Sequence, residues 1–318
     1  MARSIRDVYG DLLVQLGQEN ENIVVLDADV SSSTKSGAFG KAYPDRFFNV
    51  GIAEANMVAM AAGLATTGKI PFANTFAVFI TSIGLISARA FGSYSKLNIK
   101  LIGAYSGMSD SFDGPSHHAL EDLAIMRALP NFEVLVATDE VHTEWLIRYA
   151  LEKEGPMYIR LSRDATPTVY QPGATFEPGK GKIVREGTDA CVFACGGMVG
   201  YALEAAQNLA ARGISIRIVD LFSIKPLDAS LVLQSAALTG AVVTAEEHNI
   251  HGGLGSAIAE VLAAGHAGVP VSFVGVQDTH AESGSYADLL NKYGLDVAGI
   301  ERAVETVLMK KTMKKTKA

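Results

Sequence analysis

Residues 47–64 read FFNVGIAEANMVAMAAGL. The acid in this run, Glu54, lies where an extended apolar stretch passes into an Ala- and Met-rich, helix-forming segment. A carboxyl group at such a junction is expected to be withdrawn from water, which favours its neutral form and raises its pKa. An acid that keeps its proton near neutral pH can donate a hydrogen bond to a heterocyclic nitrogen. The alternative is an ordinary acid in the first turn of a helix, where the helix dipole favours negative charge.

Short apolar runs alternate with longer helical patterns along the chain, which predicts parallel sheets with crossover helices. We expect an α/β protein with two doubly wound domains at residues 1–165 and 182–310. Residues 166–181 hold three prolines and three glycines and are interpreted as a linker. Residues 311–318 are interpreted as a frayed, solvated basic tail. The predicted strands are 23–27, 70–73, 99–103, 134–137 and 157–161 in the first domain, and 191–194, 214–219, 241–245 and 271–275 in the second.

Composition limits the partners and the compartment that we expect. The formal net charge of −7 argues against a nucleic-acid or anionic-membrane surface. We expect a cytoplasmic protein, because the chain shows no signal peptide and no apolar run of membrane-spanning length. The two cysteines, Cys191 and Cys195, are predicted to be buried, reduced thiols on one face of a strand, since no further Cys or His lies nearby to complete a metal site.

Residues 110–118 read DSFDGPSHH. The Gly-Pro pair predicts a tight turn, across which Asp113 and His117 can face the same space. The loop follows a predicted strand, at the edge where open α/β sheets bind ligands, and it offers a carboxylate and an imidazole together. A purely structural loop with a capping Asp is the alternative.

Aromatic and cationic residues supply further candidates. Phe76 and Phe79 are three residues apart and would share one face of a helix, either in the core or as a wall against a planar heterocycle. Arg6 and Arg163 have no obvious partner, and Ser36 lies in a polar loop. Arginine is the preferred side chain for bidentate hydrogen bonding to phosphate oxygens, although a single surface arginine is more often just solvated.

A glycine-containing turn follows a later predicted strand, where residues 246–258 read EEHNIHGGLGSAI. It lacks the Gly-x-Gly-x-x-Gly order and the downstream acid of a dinucleotide site. We therefore expect a close-packed turn at a domain or subunit contact.

Taken together, these residues resemble the C-terminal half of transketolase over nearly the whole chain. Residues 52–57 resemble the family's pyrimidine-domain motif, and the resemblance places Glu54 on the glutamate that activates thiamine diphosphate. It places Phe76 and Phe79 in the aromatic pocket around the aminopyrimidine. Ser82 replaces a third aromatic residue of that pocket.

The resemblance also implies substrate contacts. Residues 113–117, Asp-Gly-Pro-Ser-His, resemble the family's Asp-Gly-Pro-Thr-His loop, in which the Asp and the His contact substrate hydroxyls, so that His117 is a candidate catalytic residue. Arg163, Arg6 and Ser36 match positions that grip the substrate phosphate. Tyr105 stands where many transketolases carry a substrate-contacting His, and this departure leaves the donor preference open.

The resemblance implies a thiamine-diphosphate pyrimidine-binding fold followed by a transketolase C-terminal-like domain that is structural rather than catalytic. The family's diphosphate-binding half, with its Gly-Asp-Gly motif, does not occur in this sequence. We therefore expect one subunit of a split, thiamine diphosphate-dependent transketolase that moves a two-carbon ketol unit from a ketose phosphate to an aldose. An N-terminal subunit would hold the diphosphate and Mg²⁺ in an α2β2 assembly, with no metal ligand in this chain and no activity of this chain alone. The alternative is a subunit similar to deoxyxylulose-phosphate synthase or to a 2-oxoacid dehydrogenase β subunit, acting on a 2-oxoacid.

Overall fold

The computed structural model describes residues 3–317, with side chains described as far as Met313. Strands and helices alternate as predicted. The strands are β1 (Ile23–Asp27), β2 (Phe47–Asn49), β3 (Ile70–Phe76), β4 (Lys100–Ala104), β5 (Glu133–Val136), β6 (Met157–Arg160), β7 (Lys182–Arg185), β8 (Ala190–Ala194), β9 (Ile216–Asp220), β10 (Ser223–Lys225), β11 (Val242–Asn249) and β12 (Val271–Val276). The helices are α1 (Ile5–Glu19), α2 (Ser31–Thr34), α3 (Gly37–Ala42), α4 (Glu54–Ala65), α5 (Ala77–Ser82), α6 (Leu85–Ser87), α7 (Asp122–Ala128), α8 (Glu140–Glu152), α9 (Met198–Ala210), α10 (Ala229–Thr239), α11 (Leu254–Ala264), α12 (Tyr286–Lys292) and α13 (Val297–Lys317). There are also a 3-10 turn at Pro44–Arg46 and a π-helical stretch at Ala88–Tyr94.

The first sheet has seven strands in the order β10-β5-β6-β4-β3-β1-β2. All its neighbouring strands run parallel except β10, which is antiparallel to β5. Successive residues of one strand enter different cores, as Val25 and Leu26 do, because side chains alternate between the two faces. Both faces are therefore covered, and the loops that follow β3 and β4 emerge at the same edge of the sheet.

The second sheet has five strands in the order β12-β11-β8-β9-β7. It is parallel except for β7, which pairs antiparallel with β9. The predicted fold, two α/β units with mainly parallel sheets, is confirmed. The prediction of buried cysteines is also confirmed, since Cys191 and Cys195 are unpaired thiols with 0% and 2% exposure. Burial raises the pKa of both thiols.

One strand crosses the division proposed from the sequence. Residues 223–225 lie in the range assigned to the second domain, yet they form β10 at the edge of the first sheet. The side chain of Lys225 also contacts the first unit, by donating a 3.0 Å hydrogen bond to the Arg127 carbonyl in α7. Residues 166–181 carry no helix or strand. One hydrophobic core also includes side chains of both units, such as Leu101 and Phe193, so the two units pack together closely.

The C-terminal segment differs from the predicted frayed tail. Helix α13 continues as far as Lys317, and the Lys311 ammonium donates hydrogen bonds to the carbonyls of Asp189 and Thr239 at 2.9 and 2.5 Å. A solvated tail is therefore the wrong description of Lys311. Residue 318 and the side chains beyond Met313 lie outside the described residues. No helix within residues 3–317 is both long and apolar enough to span a membrane.

Candidate active site

The Glu54 carboxyl group is buried at the start of a helix. Residues 50–53 connect β2 to α4, with Gly51 at a φ of +72°, and α4 begins directly afterwards with Glu54 as its first residue. The helix dipole favours an acid at this position, which agrees with the alternative that Glu54 is an ordinary acid in the first turn of a helix. However, Glu54 is only 3% exposed, and no group of the described residues donates a hydrogen bond to its carboxyl oxygens. Its carboxyl oxygens are not among the fully enclosed side-chain atoms that lack a partner, so the group keeps an opening through which a ligand can reach it.

An aromatic group lies at the carboxyl end of β3. The Phe76 and Phe79 rings stack with centroids 5.8 Å apart and planes inclined by 22°. The two residues do not share a helix face as predicted, because Phe76 ends β3 and only Phe79 lies in α5. They come together because the chain turns from strand to helix between them. Ser82, at the end of α5, is exposed, and its hydroxyl bonds the Val78 carbonyl.

The loop after β4 brings three polar side chains together. Potential ligand atoms of Asp110, Asp113 and His117 all lie within 4.8 Å of one another. A turn at Gly114, with φ at +78°, makes this possible, and the His117 amide donates a 2.9 Å hydrogen bond to the Gly114 carbonyl. The His117 ring also meets the Phe79 ring edge-on, with centroids 5.2 Å apart. The loop and the aromatic pair therefore form one site.

Asp110 is a further residue of this site, which was not among the residues predicted from the sequence. Its side chain is 2% exposed, its Oδ1 lies 3.8 Å from Nη1 of Arg163, and its buried Oδ2 has no hydrogen-bond partner among the described residues. Burial raises the pKa of the Asp110 carboxyl to about 6, and the neighbouring Asp113 charge acts in the same direction. Its position three residues before Asp113 on the same loop is the one sequence signal that could have revealed it.

Two arginines flank one tyrosine at this site. The guanidinium groups of Arg6 and Arg163 each lie 5.3 Å from the centre of the Tyr105 ring. Arg6 also donates hydrogen bonds to the Tyr105 hydroxyl and, at 3.3 Å, to the Ser33 carbonyl. The structure thus brings together two of the three groups that were predicted to bind an anion.

Ser36 does not join this cluster. It is fully buried, and its hydroxyl donates a 2.8 Å hydrogen bond to the Asp27 carboxylate, which also accepts one from Thr34 at 2.8 Å. The buried Asp27 requires such partners. Burial raises the pKa of Asp27, although the hydrogen bonds from Ser36 and Thr34 oppose this shift. The polar loop residue beside Arg6 is Ser33.

The chain thus carries a buried acid at the start of α4, stacked aromatic rings at the end of β3, and a carboxylate–imidazole loop near an arginine pair. These are the groups expected of an α/β enzyme that holds a planar heterocycle beside a polar, anionic substrate. Comparison with known proteins makes this class specific. Residues 1–168 match the transketolase pyrimidine binding domain, and residues 179–300 match the transketolase C-terminal domain. The chain belongs to the transketolase family, whose members are thiamine diphosphate-dependent transferases.

Relatives and solved structures agree with this assignment. The chain is 44% identical over 304 residues to a transketolase C-terminal section of Methanocaldococcus jannaschii, covering 95% of both chains. It is 38% identical to a 6-deoxy-6-sulfo-D-fructose transketolase subunit of Clostridium sp. strain MSTE9, covering 98% of this chain and 96% of that one. It is also 38% identical to human transketolase, of which it spans 49% while 96% of this chain is covered.

Among solved structures, the chain is similar to a split gene transketolase described as an inactive β4 tetramer. The two are 50% identical with a TM-score of 0.87, and 97% of this chain and 99% of that chain are covered. Transketolase from Campylobacter jejuni, at 22% identity and a TM-score of 0.80, shares the fold over 96% of this chain and 47% of its own. The predicted transketolase-type C-terminal section is confirmed, and the 2-oxoacid alternative is not favoured.

Proposed function

We propose that this chain is the pyrimidine-binding and C-terminal subunit of a split transketolase that is active only with a diphosphate-binding N-terminal subunit. The observation that carries the proposal is the Glu54 carboxyl group, buried at the start of α4 and without a hydrogen-bond donor among the described residues. Such a group is free to share a proton with a ring nitrogen of a bound heterocycle. The cytoplasmic location expected from the sequence stays a prediction.

The site has features that fit the pyrimidine end of thiamine diphosphate. When bound, this cofactor supplies the carbanion chemistry that carries a two-carbon ketol unit. Glu54 would hold the hydrogen bond to the pyrimidine ring, and Phe76 and Phe79 would pack against its face. Their stacked arrangement, with centroids 5.8 Å apart, supports the assignment.

The remaining side chains would bind the sugar. Asp113 and His117 lie within reach of each other and would position substrate hydroxyls, with His117 able to take or give a proton. Arg6 and Arg163, both close to the Tyr105 ring, would bind a tetrahedral anion at the end of the sugar. That anion is a phosphate or a sulfonate, since one relative is named for a sulfosugar and others are plain transketolases. Ser36 instead supports Asp27.

The partner subunit would hold the diphosphate and Mg²⁺. Within the described residues, the three-residue cluster suited to a metal is the one assigned here to substrate, Asp110, Asp113 and His117. Apolar side chains before and along α4 to α6 are exposed, as a subunit interface would require. They are Ile52 (82%), Met60 (37%), Ile83 (51%) and Ile86 (67%). The chain matches only 49% of human transketolase, and we propose an α2β2 assembly with the missing half.

A reconstitution assay tests this function. The purified chain, the N-terminal subunit and their mixture would each be given thiamine diphosphate, Mg²⁺, a ketose phosphate and an aldose phosphate. We expect ketol transfer from the mixture alone, and light scattering should give the mass of two copies of each chain. Full activity of this chain by itself would exclude the partner requirement. Turnover of pyruvate by the mixture, without ketol transfer, would overturn the transketolase assignment.

A further inference from the structure

The substrate loop, defined here as residues 105–119, is held by residues of the second α/β unit. Glu247, on β11, is 8% exposed and is directed at the beginning of this loop. Its Oε1 accepts a 2.6 Å hydrogen bond from the Met108 amide, and its Oε2 accepts a 2.8 Å hydrogen bond from the Tyr286 hydroxyl. One carboxylate therefore joins the substrate loop to α12.

The loop and the carboxylate fit together tightly. A Cβ atom at Gly107 would collide with the Glu247 carboxyl group, and Gly107 has a φ of +61°. Only glycine combines this backbone conformation with the close approach. Gly107 and Met108 precede Asp110 by three and two residues. Their position therefore determines where the backbone places Asp110, the first residue of the cluster with Asp113 and His117.

Further contacts hold the rest of the loop against the same unit. The Gly284 amide donates a 3.1 Å hydrogen bond to the Ser111 carbonyl. At the end of the loop, Nη2 of Arg160 donates to the carbonyls of Ala119 and Glu247 at 3.1 and 2.9 Å. The loop is thus fixed at its start, middle and end. Glu247 takes part at the start through its carboxylate and at the end through its carbonyl.

We propose that Glu247 is a positioning residue for the substrate loop, through which the second unit holds Asp110, Asp113 and His117 in register with the arginine pair. The two oxygens of Glu247 serve separate donors, the Met108 amide and the Tyr286 hydroxyl, so one side chain joins the loop to α12. Its removal leaves the Met108 amide buried and unpaired. The second unit thus determines substrate affinity in addition to supporting the fold. The kinetic part of this inference rests on the proposed transketolase function.

Adjacent glutamates on β11 provide a matched comparison. Glu246 is also buried, and its carboxylate accepts 2.7 Å hydrogen bonds from the amides of Leu254 and Gly255 at the start of α11. Glu246→Ala therefore removes two comparable hydrogen bonds without touching the substrate loop. Glu247→Gln keeps an acceptor for the Met108 amide and serves as the rescuing variant.

The first experiment measures hydrogen exchange by mass spectrometry on this chain alone. We expect Glu247→Ala to speed exchange in residues 106–119 roughly tenfold, whereas Glu246→Ala speeds it around residues 253–256 and Glu247→Gln behaves as the native chain. If Glu247→Ala does not fold, Tyr286→Phe is measured instead, with a smaller increase expected in the same loop. Native-like protection of residues 106–119 in every folded variant would overturn the proposal.

The second experiment uses the reconstituted enzyme. We expect Glu247→Ala to raise the KM for the sugar roughly tenfold, with a smaller change in kcat and an unchanged affinity for thiamine diphosphate, because Glu54, Phe76 and Phe79 lie on other elements. Equal effects of Glu246→Ala and Glu247→Ala on the KM would contradict the proposal. If the native mixture transfers no ketol unit, the proposed function fails, and the exchange data still decide the role of Glu247.

Discussion

The Tyr105 ring stacks on the Phe76 ring, with centroids 4.3 Å apart and planes inclined by 21°. On its other side, the Tyr105 hydroxyl accepts a hydrogen bond from Arg6, and the Arg163 guanidinium lies near the same ring. Tyr105 therefore connects the aromatic pair proposed for the cofactor with the arginines proposed for the substrate anion. The resemblance described above places Tyr105 where many transketolases carry a histidine, so we expect this contact to bear on substrate preference.

Tyr105→Phe should weaken the binding of an anionic sugar and leave the cofactor site intact. The ring stack persists, but Arg6 loses its side-chain hydrogen-bond acceptor and keeps the 3.3 Å hydrogen bond to the Ser33 carbonyl. We expect the KM for a ketose phosphate to rise roughly three- to tenfold, the effect of one hydrogen bond. A ketose without a terminal anion is the control, and its KM should not change. An equal rise for both sugars would show that Tyr105 does not act through Arg6.

Glu54→Gln should abolish turnover and leave the fold intact. Glutamine has nearly the same shape but cannot exchange a proton with the cofactor, and acid–base groups contribute at least about a hundredfold in rate. Glu140→Gln is a matched control, because Glu140 also begins a helix, α8, without belonging to the site. Initial rates of the reconstituted enzyme and thermal unfolding of the chain are the measurements. A Glu54→Gln rate within a factor of a few of the native rate would exclude the proposed role.

Asp110→Asn should stabilise the chain at neutral pH but not at acidic pH. The folded pKa of Asp110, about 6, lies above the usual 3.8, so its stabilising contribution is present below pH 3.8 and is lost as the pH rises to 6. The Asp110→Asn variant cannot ionise at this position, so it does not lose this stability as the pH rises. We expect its Tm to exceed the native Tm by roughly 2–4 °C above pH 6, with the difference vanishing near pH 4. A Tm difference that does not depend on pH would show that the pKa of Asp110 is not raised in the folded chain.

The sequence predicted the alternating elements because apolar runs of strand length are separated by helical periodicity, and nine of the twelve strands in the described part of the chain were found in this way. It missed β2 and β7, and also β10, since the three residues Ser223–Lys225 are too few to show a period. Their pairing with β5 depends on tertiary contacts between distant segments, which no local pattern records.

The candidate site was predictable where residue type and spacing coincide, as in the turn that joins Asp113 to His117. Side-chain direction was not predictable. Ser36 was expected to face an anion, but the buried Asp27 needs donors and takes its hydroxyl. The contribution of Glu247 depends on its contact with Met108, which lies 139 residues away in the chain, so local sequence could not reveal it.

Arg160→Met should destabilise the chain strongly. Arg160 and Asp122 form a buried ion pair, with Nε of Arg160 2.7 Å from Oδ2 of Asp122. Burial acts to raise the pKa of Asp122, but the Arg160 charge and hydrogen bonds hold it below its usual value. Removing one partner leaves a buried, uncompensated charge and should cost about 3–5 kcal/mol in the free energy of unfolding. The double variant Arg160→Met with Asp122→Asn should recover part of that loss in denaturant titrations. If the losses of the two single variants simply add in the double variant, Arg160 and Asp122 are not energetically coupled.

Ile86→Lys should prevent reconstitution without unfolding the chain. Ile86 is 67% exposed on α6, within the apolar surface proposed to meet the N-terminal subunit, and a charge buried there would lack a partner. We expect the concentration of partner needed for half-maximal activity to rise at least roughly tenfold, with the Tm of the isolated chain unchanged. Leu238→Lys is the matched control, because Leu238 is 53% exposed on α10, away from this surface. If both substitutions affect reconstitution equally, the interface lies elsewhere; if only Ile86→Lys does, α6 faces the partner subunit.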